Sequence, residues 1–341
     1  MKRMIQISLF ALLSGFGINA HAALVGWSGG GFTQLDSGFT AEVVGTYQGF
    51  LGGVAFAPDG DILSNNCGWS GSPLHRWDVQ GGTTNVSSSN IYSSTSIPSN
   101  AGCGMVTHSN GGIYSNTNAG VVKLDPLTGA QLDSFGGGGR ALGISEDPLT
   151  GDIYWVQDGT SRIDYVDPVT GVITPGWATV GGLADGIFWN PDGSKLYAAN
   201  RGTFSVDIFD RTGALLDSIG LGHEPDGIAF TLGGLVLTSN IDGTISMIDG
   251  SGTVSLFATG GHRGDLAHVG PDGAWYITQD GTLFADGTTS GLNSIVRIAA
   301  VGGGGFSRPP GTDGNIPEPA TMALLGIGLA GMGFSRRKKR A

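Results

Sequence analysis

Three aspartates, Asp185, Asp226 and Asp265, recur 41 and 39 residues apart, standing before Gly186, Gly227 and Leu266. His223, Glu224, His262 and Arg263 lie beside them, and Asn200, Arg201, Asn240 and Asp242 lie between. Carboxylates and amide oxygens that converge suit a hard cation such as Ca²⁺, with Asp185 and Asp226 as its first expected ligands. The other reading is local: an aspartate in a loop caps it by accepting hydrogen bonds from backbone amides. His223 and His262 read as loop residues, since their spacing matches no zinc pattern.

Other motifs carry less. Gly26-Trp27-Ser28-Gly29-Gly30 fits the G-x-S-x-G string of serine hydrolases. With 63 glycines in 341 residues such a string arises by chance, and no strand precedes it to form the strained elbow. There is no phosphate-binding loop and no dinucleotide fingerprint, so Gly136 to Gly139 and Gly302 to Gly305 read as flexible loop and linker.

The elements that must hold these residues repeat. From Asp185 to Gly220 the chain reads as four short strands: Gly186 to Trp189, Leu196 to Ala199, Phe204 to Phe209 and Ala214 to Ile219. Asn190-Pro191-Asp192-Gly193 and Asp210 to Gly213 are tight reversals. Copies start near Gly53, Gly104, Leu142, Gly186, Gly227 and Leu266, at intervals of 51, 38, 44, 41 and 39 residues. That period with four strands per copy predicts an all-β chain, a six-bladed β-propeller, with seven blades as the alternative. The 51-residue first copy holds a Ser/Asn/Gly-rich insert, Gly81 to Asn100, read as an outer loop. Thr40 to Val44 is expected to complete the last blade, Leu266 to Ile298, joined by Phe32 to Asp36, because a propeller closes its seam with an N-terminal strand. The Asp185 unit, with PDGSKLYAANRG and VDIFDRTG, resembles the YVTN-type and NHL-type repeats of secreted bacterial propellers.

Composition fits. Asp outnumbers Glu 24 to 4, as turns require. Seven of the 17 basic residues sit at the two ends, leaving 10 against 28 acidic ones. Such a body does not bind nucleic acid through its phosphates, and a monomer is expected. Cys67 falls in the second-to-third-strand loop of blade one, and Cys103 just before the first strand of blade two. Both loop types open on one face, so the expected state in an oxidising compartment is a disulfide.

The ends direct the chain. Lys2 and Arg3, the apolar run Ile5 to Phe16 and Ala20-His21-Ala22 form a secretory signal over 1–22. The propeller follows over 23–301, then a Gly/Pro-rich linker over 302–316. The tail, 317–341, has Pro317-Glu318-Pro319, an apolar run from Met322 to Phe334 and a basic end beginning Arg336-Arg337. An apolar segment of that length barely spans a bilayer, and the basic cluster keeps its end cytoplasmic. This tail resembles the PEP-CTERM sorting signal. The resemblance implies a short transmembrane sorting helix, transient inner-membrane anchoring, cleavage by an exosortase, and delivery to the surface or extracellular matrix of an exopolysaccharide-making Gram-negative bacterium; an uncut anchor is the alternative.

Ala184-Asp185-Gly186 and Pro225-Asp226-Gly227 resemble the regucalcin and gluconolactonase family, in which an Asn or Asp before this glycine binds metal; blades one and two carry Gly52 and Cys103 there. The leading expectation is a non-enzymatic scaffold whose channel face binds exopolysaccharide or another glycan, a surface protein or a small ligand, with aromatics such as Trp69, Trp155, Trp177 and Trp275 on it. No cofactor is expected in that case. The rival is a Ca²⁺-dependent hydrolase or lactonase.

Overall fold

The computed structural model describes residues 24–26, 31–67, 72–78, 94–136, 140–231, 234–281 and 292–301. The secretory signal, Ser28, Trp69, the linker and the sorting tail lie outside the described residues. Every described element is a strand, and the strands form six antiparallel sheets. The chain is a six-bladed β-propeller.

Each predicted start opens the innermost strand of a blade: Val54–Phe56, Met105–Thr107, Ala141–Glu146, Ala184–Trp189, Pro225–Phe230 and Gly264–Val269. Blade four is representative, with Lys195–Asn200, Ser205–Asp210 and Leu215–Gly220 stacked outward in chain order. Its strands meet through the expected turns. Gly193 and Gly213 sit at φ 67° and 83°, the left-handed region glycine enters freely. The Asp-Pro-x-Thr-Gly turns owe their shape to the aspartate: Asp125 and Asp167 each accept the amides two and three residues on.

Ring closure is as expected in part. Phe39–Tyr47 pairs with Asn293–Ala300 and forms the outer strand of blade six, so the first and last parts of the propeller share a sheet. Phe32 to Asp36 goes elsewhere. Its strand Gln34–Asp36 adds to the outer edge of blade five beside Val254–Thr259, and Leu24–Gly26 pairs beyond it. The buried side chains of Phe32 and Leu35 pull it there, packing with Phe257 and Ala258. The first-copy insert also differs from expectation. Ser94–Ala101 is the outer strand of blade one, paired with Ser72–Trp77, and the earlier part of 81–100 lies outside the described residues.

The core is divided into six wedges. Each buried apolar cluster joins one blade to the next, around the whole ring. Blades six and one, for example, share Val44, Ile295 and Tyr276 with Val54, Ile62 and Trp77. Burial of apolar area at about 25 cal/mol per Å² therefore stabilises neighbours as pairs, and no blade holds a core alone.

At the axis the blades touch backbone to backbone. A Cβ on Gly104 would meet the Leu142 carbonyl at 2.2 Å, one on Gly143 the Asp185 carbonyl at 2.3 Å, and one on Gly227 the Asp265 carbonyl at 2.3 Å. This close approach is why a glycine opens most of the copies. Below these glycines Met105, Ile144, Ile187 and Ile228 close the axis, leaving about 10 Å³. At that level the channel is closed between its two mouths.

Candidate functional site

The loops before each first strand and between second and third strands open on one face, where a cavity of about 270 Å³ lies over the axial plug. Asp185 and Asp265 line it, with Arg140, Arg201, Arg263 and Asp158. Phe50 and Leu183, 63% and 51% exposed, form an apolar rim. Cys67 and Cys103 are bonded as expected and form another part of the wall.

The aspartates are placed by the innermost strands. Asp185 and Asp226 lie within Ala184–Trp189 and Pro225–Phe230, and Asp265 within Gly264–Val269, at one level of three consecutive blades. All three are buried. They do not act alike. Asp265 Oδ1 accepts the Leu266 amide at 2.9 Å, the capping role anticipated for all three. Asp185 Oδ2 instead holds Arg201 Nη1 at 3.1 Å, and Asp226 Oδ2 holds Arg263 Nη2 at 2.7 Å. Arg201 also reaches Glu224 at 2.9 Å, Arg263 reaches Asp280 at 2.8 Å, and Arg140 reaches Asp158 at 2.9 Å.

Burial and crowding decide the protonation. Asp185 is raised well above the usual carboxylate range, first by burial and then by the charge of Asp226. Asp265 is pushed up to about 8 by burial, with Asp226 again the next cause and Arg263 opposing. Burial and the neighbouring carboxylate favour the protonated form of Asp265, which can donate an O–H. The mouth thus combines guanidinium donors held by carboxylates with buried carboxyl groups.

The remaining candidates divide. Glu224 belongs to the mouth through Arg201. His223 Nδ1 stands 2.6 Å from Asp242 Oδ2, a partly exposed pair between two loops of blade five that does not line the cavity, and His262 lies against Gly281. Asn200 and Asn240 are buried and turn into their own blades: Asn200 donates to Asp207 at 2.9 Å, Asn240 to Thr244 and Ser246 at 2.9 and 2.8 Å. They belong to a set that sequence reasoning missed. Asn65, Asn116, Gln157, Asn200, Asn240 and Gln279 occupy the same place near the end of each second strand, all buried. An amide six residues or so after each turn glycine was the available signal. Trp155 and Trp275 are wholly buried and stiffen blade interfaces; they are not on the channel face. Trp177 packs on Tyr154 and Trp189, away from the mouth. Arg140 and Phe50 went unremarked because neither sits in a repeated motif.

Among the described residues no group of three or more His, Cys, Asp or Glu is arranged to hold a metal ion. Two of the three carboxylates that would have to do so are already satisfied by guanidinium groups.

Residues 315–339 match the PEP-CTERM protein-sorting motif. The chain therefore carries the signal of an exported, exosortase-processed surface protein. Among curated proteins none matches it in sequence. Among solved structures, a streptogramin B lyase matches with 18% identity and a TM-score of 0.51, covering 77% of this chain and 98% of the lyase. An auxiliary nutrient binding protein of Bacteroides ovatus matches with 16% identity and a TM-score of 0.55, over 81% and 76% of the two chains. An oxidoreductase described as a glucose dehydrogenase, from Thermus thermophilus, matches with 17% identity and a TM-score of 0.54, over 76% and 100%. A lyase, a binding protein and a dehydrogenase on one fold establish the fold alone.

Proposed function

We propose that this propeller is a non-enzymatic binding scaffold at the cell surface or in the extracellular matrix, and that its mouth holds one sugar residue of a glycan such as an exopolysaccharide. One observation carries the reading: in a single cavity three guanidinium groups, each fixed by a carboxylate, alternate with the carboxyl groups of Asp158, Asp185 and Asp265 beneath the exposed Phe50 and Leu183. A sugar presents vicinal hydroxyls that both donate and accept, and a C–H face that packs on an apolar ring. Charged partners strengthen such hydrogen bonds, and the ion pairs hold them in place before the ligand arrives. The closed axis makes the cavity a cup of about 270 Å³, just below the roughly 300–1,000 Å³ of drug-sized ligand sites and suited to a single sugar ring. In this reading the sorting tail anchors the protein in the inner membrane of a Gram-negative cell until an exosortase cuts it, and the mature protein works as a monomer.

The rival, a Ca²⁺-dependent hydrolase or lactonase acting through Asp185 and Asp226, draws on the convergence of three buried aspartates in consecutive blades. The ion pairs to Arg201 and Arg263 favour the scaffold, because a cation would have to displace a guanidinium from each ligand.

A glycan array probed with the full-length protein tests the proposal, with chelator and without. Binding that survives chelation, and that falls about tenfold or more in Arg201→Ala and Phe50→Ala, supports the scaffold. Binding abolished by chelation, or lactone hydrolysis restored by Ca²⁺, would replace it with the metal-dependent reading.

A further inference from the structure

The opposite end of the axis holds a second cavity, of about 540 Å³, twice the volume at the mouth. The turns of blades one, two and six enclose it, and its walls are largely apolar: Phe56, Ala57, Pro58, Val269 and Pro271. Its charges are matched. Asp59 and Asp61 both hold Arg76. The Thr107 hydroxyl is engaged twice by the backbone of Phe56, accepting from the amide at 2.7 Å and donating to the carbonyl at 3.2 Å.

His268 is the exception. Its ring sits between Phe56 and Phe188, with centroids 6.2 and 5.7 Å away, and it is half-buried on the cavity wall. Among the described residues nothing hydrogen-bonds to either ring nitrogen. Burial pushes its pKa down to about 4, so at neutral pH the imidazole offers one N–H and one lone pair without charge. Neither nitrogen is used within the described fold, so both are open to a ligand that enters the cavity.

We propose that this cavity is a second ligand site, which takes a small uncharged aromatic molecule with one hydrogen-bonding group, such as a phenol, its ring against the wall of Phe56, Pro58 and Pro271 and its polar group on His268. A cation would find the nearby carboxylates already occupied by Arg76, and an anion would find that guanidinium already held by two aspartates. The axial plug separates this site from the mouth, so the inference stands independently of the glycan reading.

The test is a titration of the full-length protein, carrying nitrogen-15-labelled histidine, with p-cresol, benzoate and benzylamine in parallel. The His268 ring signals, identified by their loss in His268→Phe, should move saturably with p-cresol and stay still with the two charged analogues. Calorimetry should give His268→Phe an affinity for p-cresol about tenfold weaker than the parent, the loss of one well-made hydrogen bond. Arg201→Ala, altered at the mouth, should titrate like the parent. Shifts that never saturate, equal shifts with benzoate or benzylamine, or a change in Arg201→Ala would each overturn the proposal.

Discussion

Arg263 Nη2 stands 2.7 Å from Asp226 Oδ2, so a guanidinium from the loop that opens blade six neutralises a fully buried carboxylate of blade five. The same guanidinium reaches Asp280 at 2.8 Å, beyond the second strand of its own blade. Asp226 Oδ1, by contrast, is buried with no hydrogen-bond partner. Removing the arginine leaves a buried charge without compensation. Arg263→Ala should destabilise the protein by about 3 kcal/mol, the low end for a broken buried pair because Arg263 itself is a third exposed. Denaturant unfolding measures it, and Asp226→Asn in the same background should return part of the loss. If the double variant is no more stable than the single one, the pair is not what the arginine supports.

Stability should fall from pH 6.5 to 8. Asp265 titrates at about 8 in the folded chain and at about 3.9 when unfolded, so the folded state retains a proton that the unfolded state has released. Its contribution is complete below about pH 4 and is lost as pH rises through 8. Asp185, also raised, acts in the same direction. His268 works oppositely: with a folded value of about 4 against about 6.5 unfolded, its contribution is present above pH 6.5 and disappears as pH falls toward 4. The window between 6.5 and 8 thus reports on Asp265. Unfolding free energies there should decline by up to about 1.4 kcal/mol per pH unit for that group, and Asp265→Asn should flatten the slope. An unchanged slope in the variant would sink the assignment.

The blade count and the disulfide were legible because turn chemistry is local. Pro-Asp-Gly and Asp-Pro-x-Thr-Gly specify reversals whatever surrounds them, and Cys67 and Cys103 fall in loops whose face the repeat alone fixes. The destination of Gln34–Asp36 was not legible, since blades five and six both offer an outer edge and only the packing of Phe32 on Phe257 distinguishes them. The partners of Asp185 and Asp226 were hidden for a similar reason. Arg201 lies 16 residues after Asp185 and Arg263 37 residues after Asp226, and which carboxylate each guanidinium chooses depends on how blades four, five and six abut. The tryptophans misled because a large amphipathic ring reads as surface or core with equal ease, and the wedge between blades buries Trp155 and Trp275 completely.

Opening the disulfide should weaken both the fold and the mouth. Cys67 and Cys103 are 36 residues apart, and a loop of that length corresponds to about 3–4 kcal/mol of restrained unfolded-chain freedom. The double variant to serine should lose about that much in denaturant. Arg140 Nη2 also contacts Cys103 Sγ at 3.4 Å, so the variant's glycan affinity should drop as well. Stability equal to the parent under oxidising conditions would show that the bond does not form in the exported protein.

Gly143→Ala should be among the worst single changes in the chain. Its new methyl would lie 2.3 Å from the Asp185 carbonyl, a backbone atom that cannot swing aside, and the strain should cost upwards of about 3 kcal/mol or prevent folding. Gly111→Ala has open space around it but a φ of 80°, so it should cost only about 1 kcal/mol. Circular dichroism melts of the two variants side by side give the comparison, and a Gly143→Ala protein that melts above Gly111→Ala would refute the backbone contact at the axis.

The pairing of Phe39–Tyr47 with Asn293–Ala300 also sets a timetable. A strand made near the start of synthesis has no partner until nearly all of the remaining propeller has emerged. Blade six, and with it the wedges shared with blades five and one, must wait for that last strand. Residues 315–339 follow that closing strand in the chain, so the sorting motif emerges only after the strand that completes the ring.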